Sequence, residues 1–383
     1  MSGAGVLIVG ASIAATTAAA TLRAEGYDGS VTLLGQEPHH PYARPPLSKA
    51  VLTGVDDPAS TALPLTGLDV QVRTDAQATG LDPQRRRVRI HDAEEIAYDA
   101  LFIATGARAR KASPDDPGEV VLRSLADARV ILASLRTKPS VLIIGAGVLG
   151  FELASACRSH GVEVTMVDVA EPLVALLGPV LAGVMVRRAR DAGVRIVVSP
   201  SGVERRHVHG HRYVELGDGA LLEAELVVTS IGCVPNIEWL RDSGLPLAQG
   251  LLVDDRCRVA PGIVAAGDLV RTAHPGGGHA RRTPNWTDAI NQARTAATVL
   301  VRGAGDDGPS AYSRDPYFWT EAFGLSVKVA GRLPGAGVVE VLVEGDDGGR
   351  LLQWQENGRP VAAAAINHRI PVVHLKRLSR GAV

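Results

Sequence analysis

One pattern of strand, glycine turn and helix occurs twice in this sequence, and it limits the possible folds more than any other feature. The first copy is GVLIVGASIAATTAAATLRAEGYDGSVTLLG, and the second is SVLIIGAGVLGFELASACRSHGVEVTMVDV. In each copy an apolar strand runs into a glycine, a helix ends near Gly26 or Gly161, and a second apolar strand follows. The repeat therefore predicts two βαβ units of the doubly wound α/β class.

The second copy has the full glycine spacing of a dinucleotide site, at Gly145, Gly147 and Gly150. The first glycine makes a tight turn, the second lets a phosphate approach the backbone, and the third allows close packing of helix on strand. The positive end of the helix then faces the anion. Asp168 ends the next strand, where a carboxylate binds an adenosine ribose and repels a 2′-phosphate. We therefore expect an NAD site that favours NADH over NADPH, although Asp168 could also be an ordinary solvated acid at a strand end.

The first copy departs from this spacing, because Gly10 is followed by Ser12 and Ala15 at the second and third positions. Both side chains are small, so a dinucleotide could still fit. Glu37 is the expected ribose-binding acid, and Gln36 is an alternative that could hydrogen bond without charge. Since a single glycine motif is weak support, the prediction rests on two ordered copies in one chain.

The length of 383 residues predicts two or three domains. The stretch KASPDDPG indicates a crossing between domains. AELVVTSIG, from Ala224, and then GIVAAGDLV are interpreted as a return to the first domain, and alternating short strands follow Tyr312. We expect an α/β protein in which residues 1–110 and 236–308 form the first dinucleotide domain. Residues 111–235 form the second such domain, and residues 309–383 form a small α+β domain.

Charge and hydropathy argue against two classes of partner. The net charge of −1 gives no electrostatic footprint for nucleic acid or for an anionic membrane. The apolar stretch from Val6 to Leu22 lacks the basic region of a signal peptide, and its glycine falls where a strand turns into a helix. No other run is long enough for a membrane-spanning helix. A cytoplasmic protein is expected.

The cysteines and histidines predict neither a metal site nor a disulfide framework. Cys157, Cys233 and Cys257 are odd in number, far apart and outside any CxxC or CxxxxC pair. His274 and His279 lack further ligands at a suitable spacing. We expect no metal, and three thiols in a reducing compartment.

Five segments in order, HHPYARPPLSK, ATGAR, GAGVLGFE, AAGDLV and PYFWTEAF, carry a family resemblance. With them the chain resembles, over nearly its whole length, the FAD-dependent ferredoxin reductases of oxygenase systems, of the putidaredoxin reductase and rubredoxin reductase type. The resemblance implies a glutathione-reductase-like fold with an FAD domain, an inserted NAD domain and a C-terminal domain. It also implies that electrons pass from NADH through the flavin to a small iron–sulfur protein, a ferredoxin or rubredoxin.

The resemblance also assigns site residues. Lys49 matches a lysine near the flavin N5, and Glu152 matches a glutamate on the nicotinamide side, so these two are the expected catalytic residues. A cation there would stabilise reduced flavin, and the carboxylate would restrain the lysine. Further expected flavin contacts are Arg44, Thr105, Gly106, Gly267, Asp268, Trp286 and Trp319.

The chain also departs from the family pattern. Where the family has EHW, this sequence has Pro284, Asn285 and Trp286, and Asp288 replaces the next family asparagine. An acidic ferredoxin would need a basic face, for which the candidates are scattered. They are Arg271, Arg281, Arg282, Arg369, Lys376 and Arg377.

Two other functions remain open at this point. One is an NADH oxidase or a flavin-dependent tailoring enzyme with a small organic substrate. The other is a redox sensor that binds flavin and NADH with little turnover. The disulfide-reductase branch is not expected, because Cys157 and Cys233 are not placed to attack through a flavin.

Overall fold

The computed structural model describes residues 5–116, 118–208, 211–272, 281–303, 311–335, 337–346 and 348–381. The chain divides into two compact units, each assembled from separate stretches of sequence. The first unit comprises Met1–Ala43, Thr61–Arg108 and Cys233–Arg314. The second comprises Arg44–Ser60, Ala109–Gly232 and Asp315–Val383.

Both helices that were expected after the two glycine motifs are present in the described residues. In chain order the α-helices of this part of the chain are α1 (Ile13–Ala24), α2 (Leu125–Leu135), α3 (Val148–Ser159), α4 (Val174–Asp191), α5 (Trp286–Arg302) and α6 (Val372–Leu378). Short 3₁₀ helices span Pro45–Ser48, Pro58–Thr61 and Glu238–Ser243.

The main sheet of the first unit is built around the first glycine motif. Its strand order is Arg258–Ala260, Ile263–Ala265, Ala100–Ile103, Val6–Val9, Val31–Leu34 and Gln71–Arg73. The central strands are parallel, with Val6 opposite Val31 and Ala100. Alanines on α1 and α5 pack with this sheet in one buried cluster, because their small side chains let the helices approach closely. The first predicted βαβ unit is confirmed.

The remaining strands of the first unit form short additional sheets. One has the order Ala78–Asp82, Arg87–Ile90 and Glu94–Ala97, and another has the order Leu251–Val253, Val270–Thr272 and Arg281–Arg282. Short strands also span Ala107–Ala109 and Cys233–Pro235.

The main sheet of the second unit contains the second glycine motif. Its parallel strands have the order Arg195–Val198, Glu163–Asp168, Ser140–Ile144, Leu226–Thr229 and Val120–Val121. Leu226–Thr229 pairs with Val141–Ile144, so the prediction that AELVVTSIG returns to the first domain is wrong. GIVAAGDLV does return there, because Ile263–Ala265 pairs with Ala100–Ile103.

A separate hairpin sheet in the second unit has the order Val203–Val208, His211–Leu216 and Leu221–Glu223. The C-terminal residues form an antiparallel sheet with the order Tyr317–Ala322, Leu325–Gly331, Arg359–Ile366, Arg350–Glu356 and Val338–Glu344. Helix α6 packs on it through the buried Leu375. This sheet and helix confirm the predicted α+β fold, while the domain boundaries drawn from the sequence stay a prediction.

Within the described residues, none of the helices combines the length and the apolar character needed to span a bilayer.

Candidate functional site

The first glycine turn brings the backbone at Gly10 close to Ala104 just before α1 begins. Gly10 has φ +130°, and a Cβ at this position would lie 2.1 Å from the Ala104 carbonyl oxygen, so only glycine fits. Ser12 is the N-cap of α1, but its side chain makes no capping hydrogen bond. Ala15, at the position of the third glycine, is fully buried in the core. The two departures from the motif therefore preserve the turn and the helix packing that a dinucleotide site needs.

Glu37, which follows the strand Val31–Leu34, is hydrogen-bonded to the proline-rich segment. The Tyr42 hydroxyl donates a hydrogen bond to Glu37 Oε2 at 2.6 Å. The hydroxyl of Ser12 donates to the Tyr42 carbonyl oxygen at 3.4 Å, which brings the glycine turn close to the same tyrosine. Gln36, the alternative, is exposed, whereas Glu37 is half-buried. This contact brings together Ser12 and Glu37, two of the predicted site residues.

The ATG and AAGD segments of the first unit are held by side-chain amides. Thr105 Oγ1 donates to the Asn236 carbonyl oxygen at 2.8 Å, and Asn236 Nδ2 donates back to the Thr105 carbonyl oxygen at 2.9 Å. Gly106 follows with φ +62°. The backbone N–H of Gly267 donates to Gln292 Oε1 on α5 at 2.9 Å. These bonds fix two turns at the carboxyl ends of adjacent parallel strands, where nucleotides bind in such sheets.

Asp268 follows Gly267 and is half-buried. Its carbonyl oxygen accepts a hydrogen bond from Arg282 Nη1 at 3.0 Å. The same guanidinium group contacts Cys233, at the carbonyl oxygen and at Sγ. Arg282 therefore joins the AAGD segment to Cys233 within the first unit.

The departure from the family pattern at Pro284 and Asn285 forms a helix cap. Asn285 is the N-cap of α5, and its Oδ1 accepts from the Asp288 N–H at 2.8 Å, while its Nδ2 donates to Asp288 Oδ2 at 2.8 Å. Asp288 is buried and also accepts from the Tyr312 hydroxyl at 2.8 Å. Trp286, the first residue of α5, is half-buried.

The second glycine turn has the geometry of a phosphate site. Gly145 has φ +104°, and a Cβ there would lie 2.3 Å from the Ser230 carbonyl oxygen. A Cβ at Gly150 would lie 2.1 Å from the Gly145 carbonyl oxygen, so this glycine allows helix and strand to pack. Gly147, the N-cap of α3, has open space where its Cβ would be. Gly145 and Gly150 therefore have the tight turn and the close helix packing expected from the sequence, and the open space at Gly147 is compatible with the predicted phosphate contact.

Asp168 lies beside this turn. Its Oδ2 accepts a hydrogen bond from the Ala146 backbone N–H at 2.6 Å, and its Oδ1 accepts from the Ala170 N–H at 3.2 Å. The carboxylate is half-buried at the carboxyl end of Glu163–Asp168. It is therefore fixed next to the glycine turn with lone pairs left for a ribose hydroxyl.

A buried ion pair joins the two expected catalytic residues. Lys49 Nζ lies 2.9 Å from Glu152 Oε1, with the lysine side chain 14% exposed and the glutamate side chain 5% exposed. The Thr320 hydroxyl donates to the same oxygen at 2.6 Å. The Ser48 hydroxyl donates to Glu152 Oε2. All four residues belong to the second unit, so one carboxylate gathers an ammonium group and two hydroxyls.

Two more predicted flavin contacts lie in the second unit. Arg44 Nη1 donates to the Arg123 carbonyl oxygen at 2.7 Å. Trp319 stacks on Tyr317, with ring centroids 6.2 Å apart and an interplanar angle of 24°. Both residues come from segments that also contribute to the Glu152 cluster, the 3₁₀ helix Pro45–Ser48 and the strand Tyr317–Ala322.

The predicted basic residues differ in their contacts and in their exposure to solvent. Lys376 Nζ pairs with Asp315 at 2.5 Å and lies over the Tyr317 ring. Arg271 Nη1 donates to the Ala248 carbonyl oxygen at 2.7 Å, and Arg281 lies in the strand Arg281–Arg282. Arg369 and Arg377 are exposed.

The thiols differ in exposure. Burial raises the pKa of Cys157 to about 12, and burial with the nearby Asp254 and Asp255 raises the pKa of Cys257 to about 12. Cys233 is half-buried. Among the described residues no cluster of His, Cys, Asp and Glu side chains could hold a metal ion, and His274 and His279 lie outside the described residues.

Sequence reasoning missed the residues that orient the acids. Tyr42 and Ser48 lie inside HHPYARPPLSK, and Thr320 lies inside PYFWTEAF, so the motifs contained them without marking their partners.

The two glycine turns, each too tight for a Cβ and each with a carboxylate nearby, fit two dinucleotides.

Comparison with known proteins agrees with this geometry. Residues 4–297 match the family described as pyridine nucleotide-disulphide oxidoreductase. The chain is 34% identical to rhodocoxin reductase of Rhodococcus erythropolis, over 86% of this chain and 79% of the relative. It is also 34% identical to the ferredoxin–NAD(+) reductase component of the anthranilate 1,2-dioxygenase system of Burkholderia cepacia, over 94% of this chain and 90% of the relative. The reductase in a covalent putidaredoxin reductase–putidaredoxin complex superposes with a TM-score of 0.87 at 26% identity, over 99% of this chain and 93% of that one.

Proposed function

Because the chain belongs to the pyridine nucleotide-disulphide oxidoreductase family, we propose that it is an FAD-dependent NADH:ferredoxin (or rubredoxin) reductase. It takes electrons from NADH and delivers them to a small iron–sulfur protein of an oxygenase system. Relatives named as ferredoxin and rubredoxin reductase components support this assignment. Bound FAD supplies the change from a two-electron donor to a one-electron acceptor.

The observation that carries the proposal is the buried Lys49–Glu152 pair beside the second glycine turn. Glu152 lies on α3, two residues after Gly150, so the helix that would receive the NADH pyrophosphate also carries the carboxylate. Lys49 Nζ is held 2.9 Å from Glu152 Oε1 in a largely buried position. A fixed ammonium group can stabilise negative charge that develops on a reduced cofactor, because it needs no reorganisation during the reaction.

The cofactors are assigned to the two glycine turns. Gly10, Ser12, Ala15, Glu37, Thr105, Gly106, Gly267, Asp268 and Trp286 are proposed to hold FAD in the first unit, with Arg44 and Trp319 as further contacts. Gly145, Gly147, Gly150 and Asp168 are proposed to hold NADH. The Asp168 carboxylate accepts ribose hydroxyls and repels a 2′-phosphate, which favours NADH over NADPH.

The thiols support the reductase assignment over a disulfide reductase. A disulfide reductase needs a reactive thiolate, but burial keeps Cys157 and Cys257 protonated at neutral pH. Cys233 lies against Arg282 in the first unit and has no second thiol next to it in sequence. We place the activity in the cytoplasm, because the reaction draws on the cellular NADH pool.

The test begins with anaerobic titration of the holoprotein with NADH while the flavin absorbance is recorded. An acidic ferredoxin and oxygen are then added in separate experiments. Bleaching by NADH followed by recovery that needs the ferredoxin supports the proposal. Recovery with oxygen alone at a comparable rate would instead indicate an NADH oxidase, and recovery only with a small organic substrate a tailoring enzyme. Absence of bleaching would indicate a binding protein with little turnover.

A lysine variant tests the residue assignment. Lys49→Ala is expected to slow flavin reduction about a hundredfold, the order of loss when one fixed charge stabiliser is removed. Lys138→Ala is the matched control, because this lysine of the same unit donates to the Glu225 carbonyl oxygen and pairs with no carboxylate among the described residues. Equal rates in Lys49→Ala and the control would remove Lys49 from the reaction.

A further inference from the structure

Three elements of the second unit converge on the Glu152 carboxylate. Ser48 ends the 3₁₀ helix Pro45–Ser48, Glu152 lies in α3, and Thr320 lies in the strand Tyr317–Ala322. Thr320 is fully buried, and Ser48 and Glu152 are each at most 5% exposed. The carboxylate is therefore held by the protein from more than one side, in addition to its contact with Lys49.

The hydroxyl groups determine how the carboxylate is oriented. Thr320 Oγ1 donates to Oε1 at 2.6 Å, Ser48 Oγ donates to Oε2, and Lys49 Nζ also contacts Oε1 at 2.9 Å. Rotation of the carboxylate would break a hydrogen bond to one hydroxyl or the other. Since a buried polar group left unpaired is costly, the two hydroxyls confine Oε1 to one direction.

The position of Thr320 is fixed by packing that does not involve Lys49. The Phe323 backbone N–H donates to Ser155 Oγ on α3 at 2.7 Å. The Phe151 and Phe323 rings pack edge to face, with centroids 6.4 Å apart. Phe151 and Ser155 lie on α3 on either side of Glu152 in sequence, so these contacts hold the end of Tyr317–Ala322 against the helix around that residue. Thr320 therefore reaches the carboxylate from a strand that is packed on α3.

We propose that Ser48 and Thr320 are positioning residues that orient Glu152 and, through it, hold the Lys49 ammonium group in its reactive place. The inference rests on the proposed function, because it assigns Glu152 and Lys49 to the reduction of the flavin by NADH. Neither hydroxyl reacts with substrate. Each acts by keeping the carboxylate aimed at the lysine.

The hydroxyl of Thr320 can be removed with little change in shape. Valine has the same branching and suits a β-strand, so Thr320→Val deletes the donor and keeps the volume. Thr320→Ser retains the donor and loses a methyl group. The two variants therefore separate loss of the hydrogen bond from loss of packing.

The decisive experiment is a double-mutant cycle on the holoprotein with Thr320→Val, Glu152→Ala and the double variant. The limiting rate of anaerobic flavin reduction by NADH is measured by stopped flow, and the flavin midpoint potential is measured with a reference dye. We expect Thr320→Val to lower the rate about tenfold, because this factor corresponds to the free energy of one hydrogen bond to a charged group. A tenfold change in the two-electron equilibrium corresponds to about 30 mV in the potential. In the Glu152→Ala background the same substitution should change neither quantity.

Three outcomes would overturn the inference. These are equal losses in both backgrounds, a Thr320→Ser variant as slow as Thr320→Val, and a Thr320→Val variant with unchanged rate and potential. If Thr320→Val does not fold, Ser48→Ala takes its place in the cycle with the same expectations. Failure of the proposed function is distinguishable, because the wild-type flavin would then not be reduced by NADH. The cycle on the midpoint potential uses no NADH and would still decide whether Thr320 acts through Glu152.

Discussion

The phenol of Tyr42 donates a 2.6 Å hydrogen bond to the Glu37 carboxylate. This contact joins the proline-rich segment to the acid that follows the strand Val31–Leu34. Tyr42 is 4% exposed. A buried tyrosine that fixes a carboxylate prepares the acid for a ribose, because less freedom is lost when the ligand binds.

Tyr42→Phe should therefore weaken FAD binding about tenfold, the order expected for a hydrogen bond to a charged group. The measurement is fluorescence titration of the apoprotein with FAD. Tyr98→Phe is the matched control, because the Tyr98 hydroxyl is buried and has no hydrogen-bond partner among the described residues. If both variants bind FAD like the wild type, Tyr42 does not prepare Glu37 for the cofactor.

Asp168 should determine which nicotinamide coenzyme is used. Asp168→Ser removes the charge that repels a 2′-phosphate and also the acceptor for the Ala146 N–H. We expect kcat/KM for NADH to fall about tenfold while kcat/KM for NADPH falls less, so that the preference narrows. Asp191→Ser, at an exposed acid that ends α4, removes the same charge elsewhere in the unit. A preference unchanged in Asp168→Ser, or changed equally in both variants, would contradict the assignment.

The sequence was sufficient to predict the elements whose neighbours are local. Val6–Val9 and Ser140–Ile144 are apolar runs that end in glycine, and a buried parallel strand is the structure that satisfies both features. The return of AELVVTSIG to the first domain was predicted wrongly, because an apolar strand carries no mark of which sheet it joins. Its partner strand at Val141–Ile144 lies far away in sequence, and only the three-dimensional packing selects it.

The candidate site shows the same limit. The two expected catalytic residues, Lys49 and Glu152, carry charge, whereas the groups that orient Glu152 are ordinary hydroxyls. Thr320 is 168 residues from Glu152, and no local pattern connects a strand threonine with a helix glutamate. The departure from the family pattern at Asn285 has a structural reason, because Asn285 caps the N-terminus of α5.

The cysteines should react with an alkylating reagent in a predictable order. The pKa of Cys157 and that of Cys257 are raised to about 12, so at pH 8 only about one thiol in ten thousand of either kind is ionised. Iodoacetamide at pH 8 should therefore label Cys233 alone in the native protein and all three cysteines in denaturant. Mass spectrometry of tryptic peptides gives the answer. Labelling of Cys157 as fast as Cys233 would contradict the burial described above.

The same two thiols predict how stability depends on pH. In the unfolded chain a thiol ionises near pH 9, but in the folded protein these thiols stay protonated until about pH 12. The folded state then binds more protons, so the free energy of unfolding should fall as pH rises through this window, by about 1.4 kcal/mol per pH unit for each thiol. Urea unfolding at pH 8.5 and 10 measures the slope. Cys157→Ala should make it shallower, and an identical slope in that variant would contradict the expectation.

Docking of an acidic iron–sulfur protein should depend on the exposed arginines around α6. Arg369 precedes the helix and Arg377 lies in its last turn, and both side chains are exposed, whereas Lys376 is engaged by Asp315. Exposed charges on the rim of an interface mainly accelerate association. The double variant Arg369→Glu and Arg377→Glu should therefore lower the rate of ferredoxin reduction about tenfold at low salt and less at high salt, since ions screen the attraction. Flavin reduction by NADH should stay the same.

Arg136→Glu with Arg190→Glu is the control for this double variant, because it changes the net charge equally at exposed positions of the same unit. A similar loss in that control would assign the effect to overall charge, and the docking face would then have to be sought on the first unit.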